Sequence, residues 1–159
     1  MSVETAQAHL ARFGRAQDIL LLDQSSATVE LAAQALGVPA NRIAKTLSFL
    51  TKEGPVLIVA AGDARIDNAR YKAFFHEKAK MLSAQEVLDF TSHPVGGVCP
   101  FGLPAGVRVY LDESLGRFDL VYPACGSGAS AIALTCQELF EYSGALQWAD
   151  LCKGWRDEQ

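Results

Sequence analysis

The amino-acid sequence predicts a mixed α/β domain of the α+β-like kind, in which helices surround a mixed β-sheet. With 159 residues, the chain fits one domain better than two. Half of its residues are apolar and a fifth are charged, which is typical of globular proteins. Helical and strand-like segments alternate along the chain, and no linker rich in Pro, Gly or Ser divides them. We therefore expect a single domain over residues 1–159.

Capping residues and apolar runs give the order of the elements. Ser25, Ser26 and Thr28 are alternative N-caps for a helix that ends before Gly37. Helices are predicted at 2–13, 25–36, 67–77, 83–90 and 135–142. Strands are predicted at 19–22, 46–50, 55–61, 107–111, 119–122 and 130–134. The turn at 52–54 indicates a hairpin, and we expect the tail with both tryptophans to pack on the body.

Charge and cysteine content argue against several classes of protein. The net charge is −4 and the sequence pI is about 5.3, whereas a dedicated duplex-DNA binder is normally basic. The four cysteines form no C-x-x-C pair and have no histidine at zinc-finger spacing, so we expect neither a metal nor another cofactor. The sequence has no signal-peptide pattern and no run of about 18 apolar residues. We expect a cytoplasmic protein with reduced thiols and no membrane or DNA partner.

Lys45 is the most informative single residue of the sequence. It lies at the start of a strand and shares a strand face with Leu47 and Phe49, which should face the core. A lysine in that position either extends its ammonium to water or is held in a pocket for an anion. The sequence leaves both interpretations open.

Two glycine-rich segments are candidates for contacts between backbone and ligand. In the first, Gly96 and Gly97 are followed by Pro100 and Pro104, which hold the backbone in an unusual shape. Such a loop either directs N–H groups at a carbonyl or oxyanion, or is an ordinary connection. The second segment, 125–128, is either a tight turn or an anion-binding backbone nest. A strand follows it, so it is not a dinucleotide-binding fingerprint.

The search for a protein nucleophile and for a nucleic-acid patch gives weaker candidates. Cys99 could pair with His93 or His76, but a free cysteine is more often a small buried hydrophobe. A cluster of five basic residues is either a solvated helix face or a phosphate-contact patch. The cluster consists of Arg65, Arg70, Lys72, Lys78 and Lys80.

Three segments point to one family when they are taken in order. The first is the alanine-rich helix 32–38, followed by the lysine-containing strand start 43–47. The second is the glycine-rich loop 96–102, and the third is the turn 126–128 with the strand and capped helix that follow it. Together they resemble the YbaK/ProX family of aminoacyl-tRNA deacylases, related to the editing domain inserted in bacterial prolyl-tRNA synthetases. The resemblance covers about residues 25–144.

The resemblance implies the mixed-sheet fold and a hydrolytic task, the removal of a wrong amino acid from the 3′ end of a tRNA. It implies that Lys45 contacts the acceptor-end phosphate or ribose, and that the loop with Gly96 and Gly97 surrounds the aminoacyl group. At Gly97 we expect that group to pass close to the backbone, so that the loop filters substrates by size. Water, helped by the ribose hydroxyl of the substrate, is the expected nucleophile. Further substrate-binding residues would be Thr46, Val98, Cys99, Pro100, Gly126, Ser127 and Gly128.

The resemblance also implies partners. These are the tRNA acceptor end and, as an optional partner, prolyl-tRNA synthetase. The expected substrate is tRNA(Pro) that carries a small amino acid such as alanine, cysteine or serine. Some family members have an acidic residue in the strand after the glycine-rich turn, which 130–134 lacks here, so no role of that acid transfers.

Two alternatives compete with this function. One is a non-catalytic tRNA- or synthetase-binding module on the same fold. The other is a Cys-dependent hydrolase or redox protein, which needs a low-pKa thiol that the sequence does not indicate.

Overall fold

The computed structural model describes residues 2–23 and 28–156, in which the predicted alternation of helices and strands is present. The helices are α1 (Ser2–Ala11), α2 (Val29–Leu36), α3 (Asn68–Phe75), α4 (Ala84–Thr91) and α5 (Cys136–Ser143). The strands are β1 (Leu20–Leu21), β2 (Ile43–Thr51), β3 (Gly54–Ala61), β4 (Arg65–Ile66), β5 (Arg108–Asp112), β6 (Tyr122–Pro123), β7 (Ser130–Ala131), β8 (Gln147–Ala149) and β9 (Cys152–Lys153). Short 3-10 helices cover Ala16–Asp18, Ala40–Arg42 and Glu113–Arg117. Within the described ranges, no helix is long and apolar enough to cross a membrane.

A mixed sheet of five strands, in the order β6-β2-β3-β5-β8, forms the centre of the fold. Strands β2 and β3 are an antiparallel hairpin, whereas the pairs β2–β6, β3–β5 and β5–β8 are parallel. Two short antiparallel pairs, β1 with β7 and β4 with β9, lie outside this sheet. The predicted fold class and the predicted hairpin are therefore confirmed.

Strand β3 is buried on both of its faces, as its continuous apolar run predicts. Leu57 lies in a core layer that it shares with α1 and α5, whereas Ile58 lies in a second layer with α3. Successive residues enter different layers because side chains alternate between the two faces of a strand. Burying each such side chain stabilises the fold by about 1.5–3 kcal/mol, so β3 anchors the hairpin and holds β2 in place.

The helices begin where the sequence places their caps. The Thr28 hydroxyl accepts a first-turn N–H at 3.2 Å, so Thr28 caps α2, while Ser25 and Ser26 lie outside the described residues. Ser83 and Thr135 form complete capping boxes at the starts of α4 and α5. Each cap contributes about 1 kcal/mol, and those at Thr28 and Ser83 fix the starts of α2 and α4, which both contribute to the site described below.

Strand bounds differ from the prediction where pairing, rather than sequence pattern, decides them. Strand β2 begins earlier than predicted, at Ile43, because parallel pairing with β6 extends it. Lys45 is therefore the third residue of the strand. The tail around Trp148 is the edge strand β8, which pairs with β5. The strand predicted at 119–122 is found as the two-residue strand β6, which overlaps the prediction only at Tyr122, and the strand predicted at 130–134 shortens to β7.

Candidate functional site

A cavity of about 340 Å³ opens at the outer edge of β2. Its walls come from α2, from α4 and the residues before it, from the first glycine-rich loop and from the turn between β6 and β7. The volume lies at the lower end of the range for small-molecule pockets. Most of the lining side chains are apolar, and the polar ones are Thr28, Lys45, Thr46, Ser48, Tyr122, Ser127 and Ser130.

The cavity exists because the outer edge of β2 is covered at both ends and open between them. At one end the Leu82 N–H donates to the Ser48 carbonyl at 3.1 Å, and at the other β6 pairs with Ile43 and Ala44. Every second residue of an antiparallel strand directs its N–H and C=O to the same edge, so those of Thr46 face outward into the gap. Neither group has a hydrogen-bond partner in residues 2–23 or 28–156.

The Lys45 ammonium is half-buried at the cavity and donates to the Gly62 carbonyl at 3.3 Å. A side chain at 62 would collide with the Ala40 carbonyl, so this close approach requires glycine. Burial lowers the pKa of Lys45, and the negative charges of Asp63 and Glu30 only partly oppose that effect. No carboxylate of the described residues forms an ion pair with Lys45. A half-buried cation without a paired acid favours the second interpretation of Lys45, a pocket for an anion.

The turn between β6 and β7 is closed by its own side chains. The Ser130 hydroxyl accepts the N–H groups of Cys125 and Ser127, both at 3.2 Å, and donates to the Ser127 carbonyl at 3.0 Å. Those two N–H groups are therefore not available to an anion, so the interpretation of this turn as an anion-binding nest does not apply to them. Gly128 lies on the cavity wall, and its N–H has no partner in the part of the chain that the structure describes.

Gly97 packs backbone against backbone and does not line the cavity. A Cβ at this position would lie 2.6 Å from both the Gly126 oxygen and the Ser127 Cα. Its neighbours Gly96 and Val98 line the cavity instead. Glycine at 97 therefore joins the first glycine-rich loop to the turn after β6, and the expected passage of the aminoacyl group beside it is not supported.

The cavity brings together six of the ten predicted site residues. Those on its wall are Lys45, Thr46, Gly96, Val98, Ser127 and Gly128. Those outside it are Gly97, Cys99, Pro100 and Gly126. Cys99 and Pro100 are buried, and Gly126 packs against the first residues of α1, so these positions support the walls from behind.

Comparison with known proteins identifies the family. The sequence profile described as "Aminoacyl-tRNA editing domain" matches residues 23–142. The chain belongs to this family. It is 51% identical to "Uncharacterized protein YwhH" of Bacillus subtilis over 156 residues, which make up 98% of this chain and 99% of that protein. The resemblance to the YbaK/ProX deacylases is thereby confirmed.

Relatives with more specific names agree with the editing domain. Proline--tRNA ligase of Thermotoga maritima is 32% identical over 89 residues, which are 55% of this chain but only 15% of the ligase. A crystal structure described as a candidate trans-editing enzyme for prolyl tRNA synthetase has 30% identity and a TM-score of 0.88, covering 96% of this chain and 98% of that one. Hypothetical protein APE2540 has 29% identity and a TM-score of 0.80, covering 91% and 99%. The family and these neighbours support an aminoacyl-tRNA editing function.

The editing domain buries a cysteine–histidine pair whose geometry does not activate the thiol. Cys99 Sγ lies 3.5 Å from His93 Nε2, but Nε2 also lies 2.6 Å from the Phe101 carbonyl oxygen. We assign the proton to Nε2 on this contact, so Nε2 is no base for the thiol. Burial raises the pKa of Cys99 to about 12 and lowers the pKa of His93. The Cys-dependent alternative therefore lacks both a thiolate and an available base.

The predicted basic cluster does not converge on the cavity. Arg70 donates to Asp150 at 2.6 Å and also pairs with Asp67. The three lysines of the cluster and Arg65 are exposed, and none of the five residues lines the cavity. These positions favour the solvated helix face over a patch that binds the reacting end of a tRNA.

Sequence reasoning missed two residues at or beside the cavity, Ser48 and Gly62. Ser48 lines the cavity and Gly62 supplies the carbonyl that Lys45 contacts. A signal for Ser48 was present, since Thr46 and Ser48 are alternate polar residues in an otherwise apolar run. Nothing in the sequence marks Gly62, because its role depends on the close approach of Ala40.

Proposed function

We propose that this editing domain acts in trans and hydrolyses the ester of mischarged tRNA(Pro) that carries a small amino acid. One observation carries the proposal: the cavity combines an unpaired, half-buried lysine with an interrupted strand edge. The names of the relatives, which include proline--tRNA ligases and a candidate trans-editing enzyme for prolyl tRNA synthetase, support tRNA(Pro) as carrier.

Lys45 would bind the acceptor end of the tRNA through a phosphate or ribose oxygen. Its ammonium has lost part of its hydration, and one neutral carbonyl at 3.3 Å replaces only part of it. A phosphate oxygen supplies the missing negative charge, and charge-assisted hydrogen bonds are about twice as strong as neutral ones. The same contact places the 3′-terminal ribose and its ester beside the open edge of β2.

The hydrolysis itself needs a positioned water and donors for the developing oxyanion. Water attacks the ester carbonyl, the carbon–oxygen bond to the ribose breaks, and the ribose oxygen takes up a proton, which leaves a free amino acid and a free tRNA. The substrate's neighbouring ribose hydroxyl assists the water. The N–H groups of Thr46 and Gly128 are unpaired within the described residues and belong to the cavity wall, so they are the candidate oxyanion donors.

The test is single-turnover deacylation of alanyl-, seryl- and cysteinyl-tRNA(Pro) by the wild type and by Lys45→Ala. A hydrogen bond that involves a charged group contributes about 1.5–3 kcal/mol, so we expect the rate to fall about 10- to 150-fold. Lys45→Arg should restore only part of it, because a planar guanidinium replaces a point charge. Lys72→Ala is the matched control, since it removes one exposed lysine of α3 away from the cavity.

Two results would contradict the proposal. Wild-type rates in Lys45→Ala would remove the lysine from the reaction. Binding of tRNA(Pro) without hydrolysis of any ester would identify the chain as the non-catalytic module instead.

A further inference from the structure

Two hydroxyl groups of β2 lie on the cavity wall and have no hydrogen-bond partner among the described residues. The Thr46 Oγ1 is buried and unpartnered. Ser48 is only 7% exposed, and its hydroxyl forms no hydrogen bond with any of the described residues. The Thr46 hydroxyl has lost its water without gaining a partner among the described residues, which destabilises the fold.

The other serine and threonine hydroxyls that the described residues contribute to this wall are occupied. Thr28 caps α2, and Ser127 and Ser130 bond to each other and to the turn backbone. Among the serine and threonine side chains that the described residues contribute to this wall, the unpartnered hydroxyls are therefore those of β2, where Thr46 and Ser48 lie two residues apart on one face of the strand. Their Cα atoms are about 7 Å apart at the usual strand rise, so the two hydroxyls are close enough to serve one small ligand.

The residues around Thr46 and Ser48 indicate which kind of chemical group the two hydroxyls can bind. The Leu82 N–H donates to the Ser48 carbonyl, and this bond places Leu82, an apolar residue of the cavity wall, beside Ser48. No acidic residue is among the described residues that line the cavity, and its one cation, Lys45, lies on the opposite face of β2. An ammonium or carboxylate group would lack a counter-charge beside Ser48, whereas a neutral hydroxyl can both donate to and accept from the pair.

We propose that Thr46 and Ser48 determine the specificity of the editing site by binding a hydroxyl on the side chain of the esterified amino acid. The preferred substrates are then seryl and threonyl esters. This inference rests on the proposed function, because it takes the ester to lie beside the open edge of β2 and the amino-acid side chain to extend along the strand toward Ser48.

The preference for hydroxylated amino acids should be strong, because a site with unpartnered hydrogen-bonding groups discriminates between substrates better than an apolar site does. An apolar pocket separates isosteric side chains weakly, whereas a site built to bind a hydroxyl rejects an analogue that lacks it. Two pairs of amino acids differ only by hydroxyl against methyl: serine with 2-aminobutyrate, and threonine with valine. We expect the hydroxylated member of each pair to be released at least tenfold faster.

The experiment measures single-turnover deacylation of tRNA(Pro) charged with serine, 2-aminobutyrate, threonine, valine and alanine. Ser48→Ala and Thr46→Val each remove one hydroxyl, and each should lower the ratio of seryl to 2-aminobutyryl rates about three- to tenfold, the usual effect of one net hydrogen bond. Ser143→Ala is the matched control. Ser143 is also 7% exposed, but its hydroxyl donates to the Phe140 carbonyl and it does not line this cavity.

The possible outcomes separate this inference from the function on which it rests. A tenfold wild-type preference that falls in both variants and persists in Ser143→Ala supports it. Equal release of serine and 2-aminobutyrate by the wild type, or an unchanged ratio in both variants, overturns it while hydrolysis itself still stands. If the wild type hydrolyses none of the five esters, the proposed function and this inference fall together.

Discussion

The substitution Gly97→Ala tests how the first glycine-rich loop is attached to the site. The added Cβ would lie 2.6 Å from the Gly126 oxygen and the Ser127 Cα, whereas ordinary contact begins at 3.4 Å. The loop and the turn must therefore separate by about 0.8 Å. Both obstructing atoms are backbone and cannot rotate away. We expect a destabilisation of about 2–3 kcal/mol, the upper part of the range for overpacking.

Thermal unfolding and deacylation together check this expectation. For a domain of this length the melting temperature should fall by about 4–12 °C, since each kcal/mol lowers it by about 2–4 °C. Deacylation should fall by the same factor for every amino acid, because the wall moves as a whole and the new methyl group does not enter the cavity.

Gly116→Ala is the control for Gly97→Ala. A Cβ at Gly116 meets no atom within 4 Å, so this variant should keep the wild-type melting temperature within a few degrees. If Gly97→Ala is as stable as Gly116→Ala, the packing of the two segments differs from that described. If Gly97→Ala slows deacylation only for the larger amino acids, residue 97 faces the substrate, as the size-filter expectation requires.

Two further predictions concern the buried pair behind the loop. Burial lowers the pKa of His93, so the unfolded chain binds a proton more readily than the folded one, and stability is lost as the pH falls below the unfolded value of about 6.5. Between pH 7 and pH 5, the free energy of unfolding measured in urea should therefore decrease less in His93→Gln than in the wild type. Equal decreases in the two proteins would contradict a buried neutral ring. Because the pKa of Cys99 is raised to about 12, iodoacetamide at pH 8 should modify this thiol only after unfolding. Mass spectrometry of the native and the urea-unfolded protein checks this, and rapid native alkylation at Cys99 would show that the thiol is accessible and ionised.

Local patterns predicted those parts of the fold that local forces decide. The caps at Thr28, Ser83 and Thr135 need only a hydroxyl and the next turn of helix, and all three are present. The run 55–61 needs only its own hydrophobicity to be recognised as a doubly buried strand. Strand β8 could not be recognised in this way, since three residues become a strand there only because β5 lies beside them.

The same distinction applies to the site. Lys45 was recognisable because a cation at the start of an apolar strand is unusual in itself. The role of Gly97 was not, because a glycine that approaches a ligand and a glycine that approaches another loop look alike in sequence. Only the contact with Gly126 and Ser127 separates the two.

The position of the cavity on a strand edge explains why loop and strand substitutions should have different effects. An exposed strand edge is normally paired or covered, and here β6 and the residues before α4 cover all but the backbone around Thr46. The groups left open are held by β3 behind them, so they keep their positions whether or not the surrounding loops move. On the proposed function, a change in a loop such as Gly97→Ala should therefore alter how well every ester is enclosed. A change at Thr46 or Ser48 removes one fixed hydrogen-bonding group and should, on the proposed function, alter which ester is preferred.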